Sequence, residues 1–194
     1  MDVDLQPGDG LLVADVQNDF LPGGALGVLR GDEIVRVLNR YVAAFLARGL
    51  PIFASRDWHP PDHCSFREQG GIWPVHCVVG TKGAEFHPDF HLPPSTRVIS
   101  KATAPKKEAY SAFEGTTLDE HLRKTGVRRL FIGGLATDYC VLNTVRDAIK
   151  RDYAVCLLTD GVRAVNLKPD DGRKAEEEMI RLGAVPIRVE NLAA

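Results

Sequence analysis

Cysteine is scarce in this 194-residue chain, and long apolar runs and any marked excess of charge of one sign are missing. The four cysteines, at 64, 77, 140 and 156, are too few and too scattered for a disulfide scaffold, and no C-x₂-C pair marks a zinc knuckle or a redox motif. Free thiols then point to a reducing cytoplasm. No apolar run approaches the ~18 residues of a membrane span, and the opening Met1 to Pro7 has neither the positive flank nor the apolar core of a signal peptide. No membrane partner is therefore expected. With 24 basic and 26 acidic side chains well mixed along the sequence, there is no basic stripe for nucleic acid and no acidic tail. Repeats and low-complexity tracts are also missing. What remains is a chain that is 44% hydrophobic and long enough to bury one sizeable core, so a single α/β domain over residues 1–194 is expected. Assembly into a homo-oligomer stays open, because exposed patches cannot be read from periodicity.

Strand and helix patterns alternate throughout. Apolar runs at 11–16, 51–55, 97–100, 129–132, 153–158 and 185–189 read as six strands. Between them, Ile34, Leu38, Val42, Phe45 and Leu46 mark one helical face, and Val141, Val145, Ala148 and Ile149 mark another. Thr117 with Glu120 reads as a capping box. Asp170 or Asp171 caps a helix running through Met179 and Leu182. Strands joined by helical crossovers imply a doubly wound, mostly parallel six-stranded sheet with helices on both faces.

That layout collects chemistry on one edge. Asp15 closes the first strand, Asp57 and His59 follow the second, Lys101 closes the third and Cys140 follows the fourth. Open parallel sheets bind ligands outside the carboxyl ends of their strands, where the strand order reverses; in a 3-2-1-4-5-6 order the first and fourth strands are neighbours there. Asp15 and Cys140 should then face each other. Cys140 lies just past Gly133-Gly134, on the first turn of a helix, where unpaired N–H groups and the dipole favour a thiolate. Taken singly, a buried cysteine, a strand-end aspartate and a strand-end lysine are ordinary structural residues. Together on one edge they form a candidate nucleophile, base and positioning cation.

The stretch from Arg56 to Ser95 holds six of the twelve prolines and five of the six histidines, so it is expected to be a functional loop rather than filler. Asp57 and His59 are two residues apart and point the same way in extended backbone, and His76 can supply a third donor. Two imidazoles and a carboxylate with open positions make a catalytic-type divalent site: zinc is the expected ion, and iron and manganese are the alternatives. A structural site from His63-Cys64 and His76-Cys77 is disfavoured, because adjacent side chains diverge. His63, His87 and His91 have no partner at ligand spacing.

Four segments carry a family resemblance: Leu12 to Phe20 (LVADVQNDF), Ser55 to His59 (SRDWH), Trp73 to Cys77 (WPVHC) and Gly134 to Val141 (GLATDYCV). The chain resembles the nicotinamidases of the isochorismatase-like cysteine hydrolase superfamily over nearly its whole length. The resemblance implies Asp15, Lys101 and Cys140 as catalytic triad and Asp57, His59 and His76 as metal ligands. It also implies an aromatic pocket of Phe20, Trp73, Tyr110 and Tyr139, and an oxyanion hole from the N–H groups of Ala136 and Cys140 beside a cis Leu135–Ala136 bond. His63 matches a further metal ligand of some members, at shorter spacing. The implied substrate is nicotinamide, hydrolysed through a cysteine thioester to nicotinate and ammonia in NAD salvage, with pyrazinamide as a ring analogue. A metal-free isochorismatase or carbamoylsarcosine-type amidase on the same triad is the alternative, and it would leave Asp57, His59 and His76 idle. A non-enzymatic nucleotide-binding module is disfavoured further, because the Gly133-Gly134 turn lacks the G-x-G-x-x-G spacing.

Overall fold

The computed structural model describes residues 2–193. Six strands form one all-parallel sheet: β1 Asp9–Ala14, β2 Ile52–Asp57, β3 Arg97–Lys101, β4 Arg129–Leu135, β5 Ala154–Arg163 and β6 Val185–Ile187. Their order is β3-β2-β1-β4-β5-β6, with the reversal between β1 and β4 as expected. Helix α1 (Glu33–Ala47) covers one face, and α2 (Leu118–Lys124), α3 (Leu142–Lys150) and α4 (Asp171–Arg181) cover the other.

Alternation along a strand buried on both faces explains the continuous apolar runs. Leu11 and Val13 pack toward Leu38 and Phe45 of α1, while Leu12 and Ala14 pack toward Leu122 and Val145 on the other side. At the amino ends of the strands, Arg129 holds the buried Asp9 through two hydrogen bonds of 2.7 Å, tying β4 to β1 far from the candidate site. No helix among the described residues is long and apolar enough to cross a membrane.

Several local expectations give way to tertiary packing. Leu46 and Leu182 are exposed, whereas Val35 and Tyr41 are buried; the true stripe on α1 is 34, 35, 38, 41, 42 and 45, and Leu46 lies one step of 100° beyond it. The capping box at Thr117 does not form. Thr116 takes the task, its hydroxyl accepting the Leu118 N–H at 3.2 Å and donating to the Ala112 carbonyl at 2.6 Å. Neither Asp170 nor Asp171 caps α4; the Gly172 N–H donates to Asn166 Oδ1 at 2.8 Å instead. β1 stops at Ala14, β6 is shorter than its apolar run, and β5 extends to Arg163 across a register shift opposite Ile132 and Gly134. The loop after β2 contains only two single 3₁₀ turns, Arg67–Gln69 and Lys82–Ala84.

Gly134 is the backbone position on which the reversal point turns. Its φ is +118°, and a Cβ there would sit 2.0 Å from the Ala14 carbonyl oxygen of the neighbouring strand. Gly126 also has positive φ, +71°, but faces open space. Gly134→Ala should therefore cost about 4 kcal/mol or more, against about 1–2 kcal/mol for Gly126→Ala. Equal denaturant midpoints for the two variants would refute the close-approach account.

Candidate active site

Sheet register puts the charged residues side by side before any loop is considered. Asp57 and Lys101 are direct neighbours at the ends of β2 and β3, and Ala14 pairs with both Ser55 and Gly134. Asp15 follows Ala14 in left-handed backbone, φ 52°, a conformation that turns its side chain into the gap beyond the strands. Asp15, Asp57 and Lys101 are all buried.

Lys101 organises this cluster. Its ammonium lies 3.0 Å from Asp15 Oδ2, hydrogen-bonds Asp57 Oδ1, donates to the Ala109 carbonyl at 3.3 Å and reaches Cys140 Sγ at 3.4 Å. The contact to Asp15 is ionic rather than an aligned hydrogen bond. Asp15 Oδ1 accepts from the Ser55 hydroxyl at 2.7 Å, and Oδ2 accepts no hydrogen bond from any described residue. One carboxylate oxygen is thus fixed and the other is left with a lone pair close to the thiol, since a carboxylate oxygen of Asp15, one of Asp57 and Cys140 Sγ lie within 4.8 Å of one another.

Burial is the largest single influence on each of these groups, and charged neighbours decide whether it prevails. It pushes the Asp15 carboxyl up, with Lys101 opposing, Asp57 adding to the rise and Ser55 opposing. Burial acts against Asp57 too, but Lys101 and His59 outweigh it and hold that carboxylate well below its usual range. Burial likewise penalises the Lys101 ammonium, yet Asp15 and Asp57 raise it well above an ordinary lysine. Cys140 is a correction to the thiolate expected from its position at a helix start: burial, with the Asp15 and Asp57 charges, drives the thiol far up despite Lys101. Burial thus favours the neutral form of the Cys140 thiol. It sits on a π-helical turn, Thr137–Val141, that leads into α3, just past the cis Leu135–Ala136 bond.

The loop donors converge as expected. Asp57, His59 and His76 offer atoms within 4.8 Å of one another, and all three are buried. His59 Nδ1 pairs with the Ala102 carbonyl at 3.2 Å and His76 Nδ1 with the Pro74 carbonyl at 2.8 Å. A carbonyl only accepts, so Nδ1 carries a proton in each ring, and the neutral tautomer of that arrangement presents Nε2 as a lone pair, the usual way in which outer partners orient ligating histidines. His59 Nε2 is buried without a hydrogen bond and lies 3.6 Å from Asp57 Oδ2. Burial also depresses the His76 pKa, which keeps that ring neutral. A divalent ion fits this donor set, because it would satisfy the orphaned nitrogen and the carboxylate together.

His63 does not join the donors. Its Nδ1 accepts from the Ser65 hydroxyl at 2.8 Å, its Nε2 donates to the Lys107 carbonyl at 3.1 Å, and the ring stacks on His59 at 4.2 Å. His87 and His91 lie outside the group. Cys77 is buried, and its N–H donates to Asp19 Oδ2 at 2.7 Å.

Above Asp15, Lys101 and the loop donors opens a small cleft, about 360 Å³ with its open mouth counted in. Phe20, Trp73, Tyr110 and Tyr139 all line it, with Ala136 and Cys140 at the base. The Trp73 indole donates to the Tyr110 hydroxyl at 3.0 Å and meets Tyr139 edge-on at 4.9 Å, while Phe20 packs against the His76 ring at 5.5 Å.

Sequence reasoning missed Leu26, Glu108 and Val165 in the cleft wall. It also missed Gln17, whose buried amide donates to the Asp57 and Ala84 carbonyls and accepts the Asp57 N–H, all at 2.8–2.9 Å. Asp138 escaped notice as well; its carboxylate accepts the N–H groups of Val165 and Asn166 at 2.9 and 2.8 Å, pinning the segment that closes the cleft.

A family model described as the isochorismatase domain matches residues 9–191. The chain belongs to the isochorismatase family. Within the family, the nicotinamidase of Escherichia coli K12 is 41% identical, covering 92% of this chain and 93% of its own length. The pyrazinamidase of Pyrococcus horikoshii, solved in complex with zinc, is 50% identical and superposes with a TM-score of 0.90 over 94% of this chain and 99% of that one. PnC1 from L. infantum, solved in complex with nicotinate, is 35% identical with a TM-score of 0.93 and covers both chains completely.

The donor geometry separates His59 and His76, which present free nitrogens to one another, from His63, whose nitrogens are both taken. His59→Ala or His76→Ala should reduce bound divalent metal from about one ion per chain to near zero, whereas His63→Ala should retain most of it. Elemental analysis of protein purified without chelator decides this, and loss of metal in the His63 variant alone would overturn the assignment of donors.

Proposed function

We propose that this chain, as one hydrolase domain over residues 1–194, is a metal-dependent nicotinamidase that converts nicotinamide to nicotinate and ammonia, with pyrazinamide as an alternative substrate. The observation that carries the reading is that a buried thiol with its base and a three-donor metal cradle open into one small aromatic cleft. The nicotinamidase and pyrazinamidase relatives support it. A metal-free amidase would have no use for the orphaned His59 Nε2.

Chemistry begins with the neutral thiol. As the carboxamide enters and water leaves, Asp15 Oδ2 takes the Cys140 proton, a transfer favoured by the raised affinity of the buried carboxylate for a proton. The sulfur attacks the carboxamide carbon, forming the C–S bond, and the N–H groups of Ala136 and Cys140 receive the developing oxyanion. Asp15 then delivers its proton to the amide nitrogen, the C–N bond breaks and ammonia departs, leaving a thioester. Water adds to the thioester with Asp15 accepting one of its protons; the C–S bond breaks, Asp15 returns that proton to the sulfur to restore the thiol, and the acid ionises to nicotinate, its proton passing to the released ammonia. Throughout, Lys101 stabilises the Asp15 carboxylate whenever it is ionised and holds the base beside the sulfur.

Asp57, His59 and His76 would hold the divalent ion, zinc by preference, and the ion would supply a Lewis-acid site for the ring nitrogen. The aromatic walls of Trp73, Tyr110 and Tyr139 would clamp the ring and exclude water. A thiol nucleophile of this kind suits a reducing cytoplasm, and all four cysteines are free.

Cys140→Ala should lower ammonia release at least ~10³-fold while nicotinamide still binds, and Asp15→Asn should lower it ~10²–10⁴-fold. Quenched mass spectrometry of the wild-type protein should find a nicotinoyl adduct on Cys140. Turnover by Cys140→Ala above a tenth of the wild-type rate would remove the covalent step. Ring-nitrogen recognition has its own check: chelation should weaken nicotinamide hydrolysis reversibly, and benzamide, which lacks that nitrogen, should be the far poorer substrate. Equal hydrolysis of the two would favour the metal-free alternative.

A further inference from the structure

Glu108 lines the same cleft as Asp57, Ala136 and Cys140, yet the reaction above gives it no task. It is half-buried, and its position is set rather than free. Its Oε1 accepts the Ala109 N–H at 2.9 Å, and the Ala109 carbonyl in turn accepts from Lys101 Nζ at 3.3 Å, so the carboxylate is tied to a segment that the catalytic lysine itself holds. Among the described residues Glu108 forms no ion pair, and no lysine or arginine lines the cleft. Lys101 lies beneath the cleft and is engaged by Asp15 and Asp57. The Glu108 charge reaches the aromatic wall: the Tyr110 hydroxyl is pushed up to about 12 by burial first, eased by the Trp73 N–H, with Glu108 adding to the rise.

Amide hydrolysis changes the charge of the ligand in place. The substrate enters neutral, but the product carries a carboxylate where the amide stood, beside Cys140 and in the same small cleft as a fixed anion. Repulsion between like charges in such a site is felt by the product and not by the substrate. We infer that Glu108 is a specificity-determining residue that sets a charge preference in the cleft, disfavouring the anionic acid product relative to the neutral amide and so clearing the site after each turnover. This rests on the amide hydrolysis proposed above.

The test compares Glu108→Gln and Glu108→Lys with the wild-type, metal-replete protein, measuring the inhibition constant of nicotinate and the KM of nicotinamide under one set of conditions. After allowance for the partial exposure of Glu108, the ratio of inhibition constant to KM should fall about 5-fold or more in the Gln variant and further in the Lys variant. In wild type, added salt should tighten nicotinate, and that dependence should shrink in the Gln variant. A ratio that changes less than about 2-fold, or a Gln variant that tightens both ligands equally, overturns the inference, because a packing effect would not distinguish charge. Absence of any ammonia release by wild type would instead count against the reaction. Calorimetry of nicotinate and nicotinamide binding to the same three proteins then reads the charge preference directly, and equal affinity shifts, or no nicotinate binding in any of them, would overturn it.

Discussion

One ammonium group shared between two buried carboxylates holds this site together. Lys101 touches Asp15, Asp57, the Ala109 carbonyl and the Cys140 sulfur, and it is itself buried. Burying a lysine or an aspartate alone is costly, so each of these residues is tolerable only because the others are present. The consequence is an electrical link between two functions that are otherwise separate. Asp57 is kept ionised by Lys101, which is the state a metal ligand requires, while Asp15 is left with a raised proton affinity, which is what a base for a reluctant thiol requires. The same cation thus serves both ends of the cleft by unequal contact: a hydrogen bond to Asp57 and a looser ionic contact to Asp15.

Much of this was legible in the order of residues. Alternating strand and helix patterns lead to the 3-2-1-4-5-6 sheet, and that order alone places Asp15, Asp57, Lys101 and Cys140 on one edge. The grouping of Asp57 with His59 was legible because the two share a strand-like spacing, and the aromatic lining of the cleft because the resemblance carried it. What stayed hidden depends on contacts between distant segments. Gln17 holds the Asp57 backbone from 40 residues away, Asp138 pins Val165, and Glu108 reaches the cleft only because the loop after β3 folds back over it. None of these has a periodicity or a spacing of its own.

The thiol shows where a correct local principle yields to surroundings. A helix start does favour a thiolate, and Lys101 adds to that pull. Burial and two neighbouring carboxylates outweigh both, since the dipole contributes within its first turn only while desolvation acts on the whole charge. His63 gives the parallel case for the metal. Its place four residues after His59 admits a ligand role, but Ser65 and the Lys107 carbonyl consume both nitrogens, leaving it to brace the His59 ring. Whether a histidine ligates is decided by what occupies its second nitrogen, and that is a tertiary fact.

The residues of the cleft run from Phe20 to Val165, and those of the charged cluster come from the ends of three different strands, with Cys140 on the turn that follows a fourth. No stretch of chain holds even a working half of the site. A partly folded molecule therefore has no diluted activity: until β4 and β2 dock against β1 and β3 against β2, Cys140, Asp15 and Lys101 are strangers. Ammonia release from this chain accordingly counts finished molecules, and its recovery during refolding would time the closing of the sheet rather than the gathering of its helices.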